Sequence, residues 1–170
     1  MAKHIIVEGP DCCGKSYLIR TILAQEKFKD YEVEHLSGVC PNTKEFHEYL
    51  LNYDRPMLFD RFFIGETIYP FIFNREPKMS LEDMLELCNK YKDNIVVIFI
   101  DADYDFMIRA HKAKNEEFNY EQAKYAKDKF YERYKQLKEI SGLQVFRFKN
   151  YKEDKPEFDA FIEKLNKEIN

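Results

Sequence analysis

The chain has 170 residues, 45 % of them apolar and 34 % charged, with a formal net charge of −4. That balance fits a globular protein of one domain with a sizeable core. It excludes bulk binding to a phosphate backbone, and no apolar run approaches the roughly 20 residues that cross a bilayer. The chain opens directly into an apolar run, so no export signal is expected and reduced thiols in a cytoplasm are the expected setting. The four cysteines are Cys12, Cys13, Cys40 and Cys88. They lack C-x-x-C spacing and an accompanying histidine pair, which argues against a zinc site.

The first strand is expected over Lys3–Glu8, around His4-Ile5-Ile6-Val7. Gly9-Pro10-Asp11-Cys12-Cys13-Gly14-Lys15-Ser16 follows, and a helix is expected over Lys15–Lys27. This is G-x-x-x-x-G-K-[ST] between a strand and a helix, the setting of a polyphosphate-binding loop. The glycines let the backbone wrap closely, so that successive N–H groups point inward. The helix aims its positive end at the same anion. Lys15 can reach the β- and γ-phosphates, and the Ser16 hydroxyl can ligate Mg²⁺. Cys12 and Cys13 lie where a helix N-terminus lowers a thiol pKa, although filling loop positions is the plainer reading.

A second strand is expected over Tyr31–Leu36. Asn42, with Glu45 three residues on, reads as a capping box for a helix running to Asn52. Arg55-Pro56 ends that segment, and Met57-Leu58-Phe59 forms a short buried strand closing at Asp60. The stretch from Arg61 to Asn74 is aromatic (Phe62, Phe63, Tyr69, Phe71, Phe73) and reads mostly as core, with one or two rings at a ligand. Ser80 and Asp83 cap a helix to Lys92. Asn94–Ile100 is the clearest buried strand and ends at Asp101. Helices are expected over Tyr104–Ala113 and Tyr120–Ile140, separated by the charged link Lys114-Asn115-Glu116-Glu117 and stopped by Gly142. Leu143–Phe148 is the last strand and Pro156–Ile169 the last helix. Strands alternating with helices predict βαβ units on a parallel sheet.

Ligands of such sheets gather at the C-terminal ends of the strands. The phosphate loop, Asp60-Arg61 and Asp101 all fall there. Asp60 can hold Mg²⁺ waters or accept the proton of an attacking oxygen, and Arg61 can grip a phosphate in bidentate fashion. The alternative is a structural ion pair. The cations Arg109, Lys112 and Lys114 are expected either to close over a ligand or simply to solvate a helix end. His47 and His111 read as bystanders, since phosphoryl transfer works by positioning and electrostatics.

Glu8-Gly9-Pro10-Asp11-Cys12-Cys13-Gly14-Lys15-Ser16 resembles the E-G-x-D-G-x-G-K-[ST] loop of thymidylate kinases. Asp60-Arg61-Phe62, with Gly65 and Tyr69 after it, resembles that family's D-R-Y-x-x-S-x-x-A-Y-Q. Arg109…Lys112…Lys114…Glu117-Phe118 is similar to its basic lid. The resemblance runs in order through most of the chain. It implies an α/β P-loop NTPase three-layer sandwich, with a five-stranded parallel sheet of order 2-3-1-4-5, helices on both faces and a short lid over about 109–120. It also implies transfer of the ATP γ-phosphate, with Mg²⁺, to a deoxynucleoside monophosphate, with a thymidylate-like pyrimidine favoured. In that scheme Gly9 to Tyr17, Arg109, Lys112 and Lys114 bind the donor. Asp11, Asp60, Arg61, Phe62 and Tyr69 bind the acceptor. Ser16 and Asp60 hold Mg²⁺, partly through water. Lys15, Asp60, Arg61 and Arg109 carry the catalysis. Asn150-Tyr151-Lys152 is the expected contact to adenine.

The chain departs from that family in lacking F-E-P-G-G after the second strand, in being shorter before Asp60, and in carrying Gly65 for the serine with Glu66 beside it. Compact versions with F-D-R-F-x-x-G-E-x-x-Y point to a phage-type enzyme in a host cytoplasm. A deoxynucleoside kinase, a P-loop switch and a polynucleotide 5′-kinase stand as alternatives, the last disfavoured by the acidic charge. The expected partners are a small-molecule acceptor and a second copy of the chain, with neither membrane nor nucleic acid.

Overall fold

The computed structural model describes residues 3–151 and 155–169. Five strands form one parallel sheet of order 2-3-1-4-5: β1 (His4–Glu8), β2 (Glu32–His35), β3 (Met57–Asp60), β4 (Ile95–Ala102) and β5 (Gln144–Asn150). β1 lies in the centre, paired with β3 through Ile5–Leu58 and Val7–Asp60, and with β4 through His4–Ile95 to Glu8–Phe99. The alternation of strand and helix built this order, because each crossover must return its strand parallel to the last.

Seven α-helices are described: α1 (Lys15–Leu23), α2 (Lys44–Leu51), α3 (Tyr69–Ile72), α4 (Leu81–Lys90), α5 (Tyr104–Ala113), α6 (Tyr120–Lys138) and α7 (Lys155–Glu168). Alternate strand residues face opposite layers. Ile6, Phe59, Val97 and Phe99 pack with Leu51 of α2, Leu87 of α4 and Phe130 of α6. Ile5, Val7, Leu58, Val96 and Ile98 pack with Leu18 and Ile22 of α1, Met107 of α5 and Leu165 of α7. Each such buried side chain contributes roughly 1.5–3 kcal/mol of transfer free energy. No helix among the described residues is long and apolar enough to cross a membrane.

Several boundaries differ from the sequence reading. α1 stops at Leu23, and a 3₁₀ turn over Glu26–Phe28 replaces its last stretch. Gln25 turns extended there, and Phe28 becomes fully buried, which a straight helix would not achieve. The N-cap of α2 is Thr43, whose hydroxyl accepts from the Phe46 amide, and not Asn42. Asn42 instead takes a left-handed backbone (φ 52°) and donates to the Ser37 carbonyl, a conformation its short polar side chain tolerates. β4 continues past Ile100, so Asp101 lies within it, paired in register with Lys149. The aromatic stretch is less uniformly core than expected. Phe62 and Phe63 are buried, but Phe71 and Phe73 are exposed. The capping box of Ser80 and Asp83 is present as read.

Candidate functional site

The loop between β1 and α1 is shaped by glycine where glycine is required. A Cβ at Gly9 would lie 2.8 Å from the Ile100 carbonyl oxygen and 2.9 Å from Cys13 Sγ. Gly14 is the N-cap of α1 at φ 98°, and a Cβ there would meet Asn150 Nδ2 at 2.5 Å. That amide donates to the Cys13 carbonyl (2.9 Å), so β5 clamps the loop from behind. Asn150 is therefore occupied with the loop, and the Tyr151 hydroxyl with Asp101; Lys152 lies outside the described residues. Cys12 adopts φ 59°, a conformation that suits glycine, at the position where the resembled loop carries glycine.

Lys15 is buried, and its ammonium donates to the carbonyls of Gly9 (2.9 Å) and Pro10 (2.7 Å). Ser16 and Tyr17 are exposed at the start of α1, with the Tyr17 ring tilted against Phe158. The Cys13 thiol is pushed up, not down: burial outweighs the nearby Lys15 charge. That direction favours the plainer reading, in which Cys13 fills a loop position.

Arg61 crosses to the loop. Its Nη2 donates to Asp11 Oδ1 at 2.6 Å, an ion pair in which both side chains remain partly solvated. Its backbone is left-handed (φ 65°), fixed by its amide on the Val7 carbonyl. Such a bend costs an arginine on the order of 1 kcal/mol and persists only where the surroundings impose it. Asp60 turns one oxygen to His35 Nδ1 (3.0 Å), and its other oxygen is buried without a partner among the described residues. Arg61 Nε and the Tyr69 hydroxyl are likewise buried and unpartnered. Burial pushes the Tyr69 phenol well above its ordinary range, with the Asp11 carboxylate adding to it.

Glu8 is the site residue that sequence reasoning left without a role. Its buried Oε1 accepts from the amides of Phe62 (2.8 Å), Ile64 (3.2 Å) and Gly65 (3.3 Å). One carboxyl group thereby binds the end of β1 to the segment after β3. Burial raises its pKa, against the opposing pull of the Phe62 and Gly65 amides and of Lys15 and Arg61. The available signal was an acidic residue ending an otherwise apolar strand.

Two clefts flank the Asp11–Arg61 pair. One is lined by Glu8, Arg61, Phe62, Glu66, Tyr69 and Arg75, among others. Glu66 is buried there and accepts a bidentate pair of bonds from Arg75 (2.6 and 2.7 Å), with the Lys78 amide as a third donor. The other is lined by Pro10, Asp11, Tyr69, Phe73, His111 and Glu117, among others. Asp11, Tyr69 and Phe73 line both, and Phe73 stacks on Tyr69 with ring centroids 5.8 Å apart. Phe62 lines the first cleft but spends its ring on Phe59, 4.1 Å away.

α5 lies across the loop: Phe106 reaches to 3.5 Å from a Cβ placed on Gly14. Arg109, Lys112 and Lys114 stand exposed on α5 and its end, and among the described residues their side chains make no ion pair or hydrogen bond. Asp101 sits apart from this group. It is ringed by Lys127 (2.9 Å), Arg147 and Tyr151, so it is a structural hub and not a free carboxylate. Burial pushes its carboxyl up, but those donors prevail and hold it below the ordinary range.

No protein-family model matches the chain, and a search of curated proteins returns no match. Solved structures do match across its whole length. The YorR protein of Bacillus subtilis, in complex with phosphorylated GDP, superposes with a TM-score of 0.69 at 21 % identity, covering 97 % of this chain and 98 % of that one. Deoxyadenosine kinase from M. mycoides with bound dCTP gives 0.60 at 17 %, covering 96 % and 99 %. Thymidylate kinase from Candida albicans gives 0.57 at 14 %, covering 99 % and 94 %. The latter two are kinases of a nucleoside and a nucleotide by name, and the sheet order expected from the resemblance is the one observed in this chain.

Proposed function

We propose that the protein is a kinase that transfers the γ-phosphate of ATP to a deoxynucleoside monophosphate, with a thymidylate-like pyrimidine favoured. The observation that carries this reading is the Arg61–Asp11 pair. It joins an acceptor-side arginine to the rim of a phosphate loop, beside the unpartnered Tyr69 hydroxyl and Asp60 oxygen. Buried polar atoms without partners are uncommon in a finished interior and mark where a ligand's own polar groups fit. The kinase neighbours support phosphoryl transfer in general.

In this reading the loop amides from Gly9 to Ser16 enclose the donor phosphates. Lys15 leaves the Gly9 and Pro10 carbonyls for the stronger, charged acceptor. Charge that spreads over the transferred group's oxygens is met by Lys15, Arg61 and Arg109. Lys112 and Lys114, without other side-chain partners among the described residues, close with Arg109 over the donor and exclude water. Asp11, Phe62 and Tyr69 hold the acceptor. The exposed Ser16 hydroxyl and the unpartnered Asp60 oxygen are the oxygen donors that a hard cation takes, so this pair fits Mg²⁺. When bound, that ion neutralises charge on the donor phosphates.

A second reading, a kinase of free deoxynucleosides, is favoured by one observation. The acceptor-side cleft holds two arginines, and each already faces a carboxylate: Arg61 with Asp11, and Arg75 with Glu66. An uncharged nucleoside enters such a balanced cleft without separating ion pairs. An ADP-release assay against a panel of nucleosides and monophosphates decides between the two. Turnover with monophosphates alone supports the first reading, and with nucleosides alone the second. Hydrolysis indifferent to every acceptor removes both in favour of a nucleotide switch.

A further inference from the structure

The spacing of the cysteines argued against zinc, but the fold brings together what the sequence keeps apart. Cys12 Sγ, a ring nitrogen of His111 and a carboxylate oxygen of Glu116 all lie within 4.8 Å of one another. Cys12 comes from the phosphate loop, His111 from the last turn of α5, and Glu116 from the link after it. A tetrahedral zinc ion with bonds of about 2.0–2.3 Å sets its ligand atoms about 3.3–3.8 Å apart. A small side-chain contraction closes that gap. We propose that Cys12, His111 and Glu116 form a three-ligand site for zinc or a similar borderline-soft divalent cation, with a fourth position open to water.

The ligand set itself excludes the cation of phosphoryl transfer. Thiolate and imidazole select zinc over magnesium, which demands oxygen and octahedral geometry. The surroundings support the assignment. His111 Nδ1 stands 3.3 Å from Glu116 Oε2 and is buried without a hydrogen-bond partner among the described residues. Cys12 is partly exposed, unlike its buried neighbour Cys13. Its thiol is also presented by a left-handed backbone (φ 59°), a strained choice for a cysteine, and strain of this kind gathers at functional positions.

The ion ties residues 111–116 to the phosphate loop across the donor pocket. Zinc therefore opposes entry of a polyphosphate, a regulatory consequence that rests on the kinase reading above, whereas the binding does not. The test begins with the full chain and zinc alone, in competition with a chromophoric chelator, with magnesium in excess. One equivalent is expected in the wild type. Cys12→Gly and His111→Gln are each expected to weaken binding at least roughly tenfold, the loss seen even when a group behind a ligand is removed. Cys12→Gly places glycine in the conformation it prefers, so this variant keeps the fold, which far-ultraviolet circular dichroism verifies. Cobalt substitution should give a thiolate charge-transfer band that is absent in Cys12→Gly. No uptake at micromolar zinc, or uptake unchanged in both variants, overturns the site. Zinc uptake that follows these variants in a protein that phosphorylates no acceptor overturns the kinase reading and leaves the site standing.

Discussion

Arg61 carries the most information of any single residue. Its type was legible from the sequence, but its left-handed backbone and its reach to Asp11 were not, because both depend on where the end of β1 meets the end of β3. If it grips an acceptor phosphate, Arg61→Ala lowers turnover of a monophosphate by roughly 10- to 100-fold, while any nucleoside turnover changes far less. Steady-state kinetics with both acceptors measure this, and an equal loss with each removes that role. Gly65 teaches the opposite lesson. It stands where the resembled motif carries serine, yet a Cβ there would meet the Tyr69 ring at 3.4 Å and Glu8 Oε2 at 3.6 Å, ordinary contacts. Gly65→Ser is therefore expected to fold with stability within about 1 kcal/mol of wild type, measured by urea unfolding. A large loss would mean that the turn needs glycine for its backbone. Cys12 is the reverse case, a left-handed backbone held under a side chain where the resembled motif carries glycine.

At the scale of elements, patterning was reliable where one physical rule acted alone. β4 was legible as an unbroken apolar run because a strand covered on both faces has no polar side to show. α4 was legible from its box, in which the Asp83 amide donates to Ser80 Oγ (3.1 Å) and Asp83 answers at the Ser80 amide. Ser80→Ala is expected to cost about 1 kcal/mol in urea unfolding and to leave catalysis unchanged, since α4 lies away from both clefts. A loss near zero would show that solvent replaces the cap. The reading faltered where rules compete. Asn42 and Thr43 are both good caps, and the left-handed turn claimed Asn42 for itself. α1 was extended too far because burying Phe28 outweighs helix propensity across Gln25.

Across the molecule, the order of the sheet brings the loop and the Arg61 segment to one edge, a convergence legible from the strand ends, whereas the contacts made there were not. Glu8 illustrates it: one carboxyl group stitches two strands' ends, and its partners lie more than fifty residues away. The same packing leaves a mark on stability. His47 is fully buried against Phe46, Phe62 and Phe63, with neither ring nitrogen partnered among the described residues. Burial lowers its pKa from 6.5 to about 4, against the pull of the nearby Glu66 carboxylate. The unfolded chain therefore takes up a proton on His47 before the folded one does. The stability tied to neutral His47 is complete above pH 6.5 and drains as pH falls toward 4, by about 3 kcal/mol in all. Urea midpoints of wild type and His47→Phe, compared between pH 7 and 4, should converge or cross as the wild type weakens. Parallel profiles would mean that His47 titrates normally.

The central claim is that the loop around Lys15 delivers a phosphoryl group to an acceptor lodged beside Arg61. Following the labelled γ-phosphate of ATP, in wild type and Lys15→Ala, tests it most directly. The account predicts label on a small nucleoside-containing acceptor in the wild type, and a loss of at least roughly 100-fold in a folded Lys15→Ala protein. Label appearing only as inorganic phosphate, or transfer surviving at near-normal rate in Lys15→Ala, would contradict it.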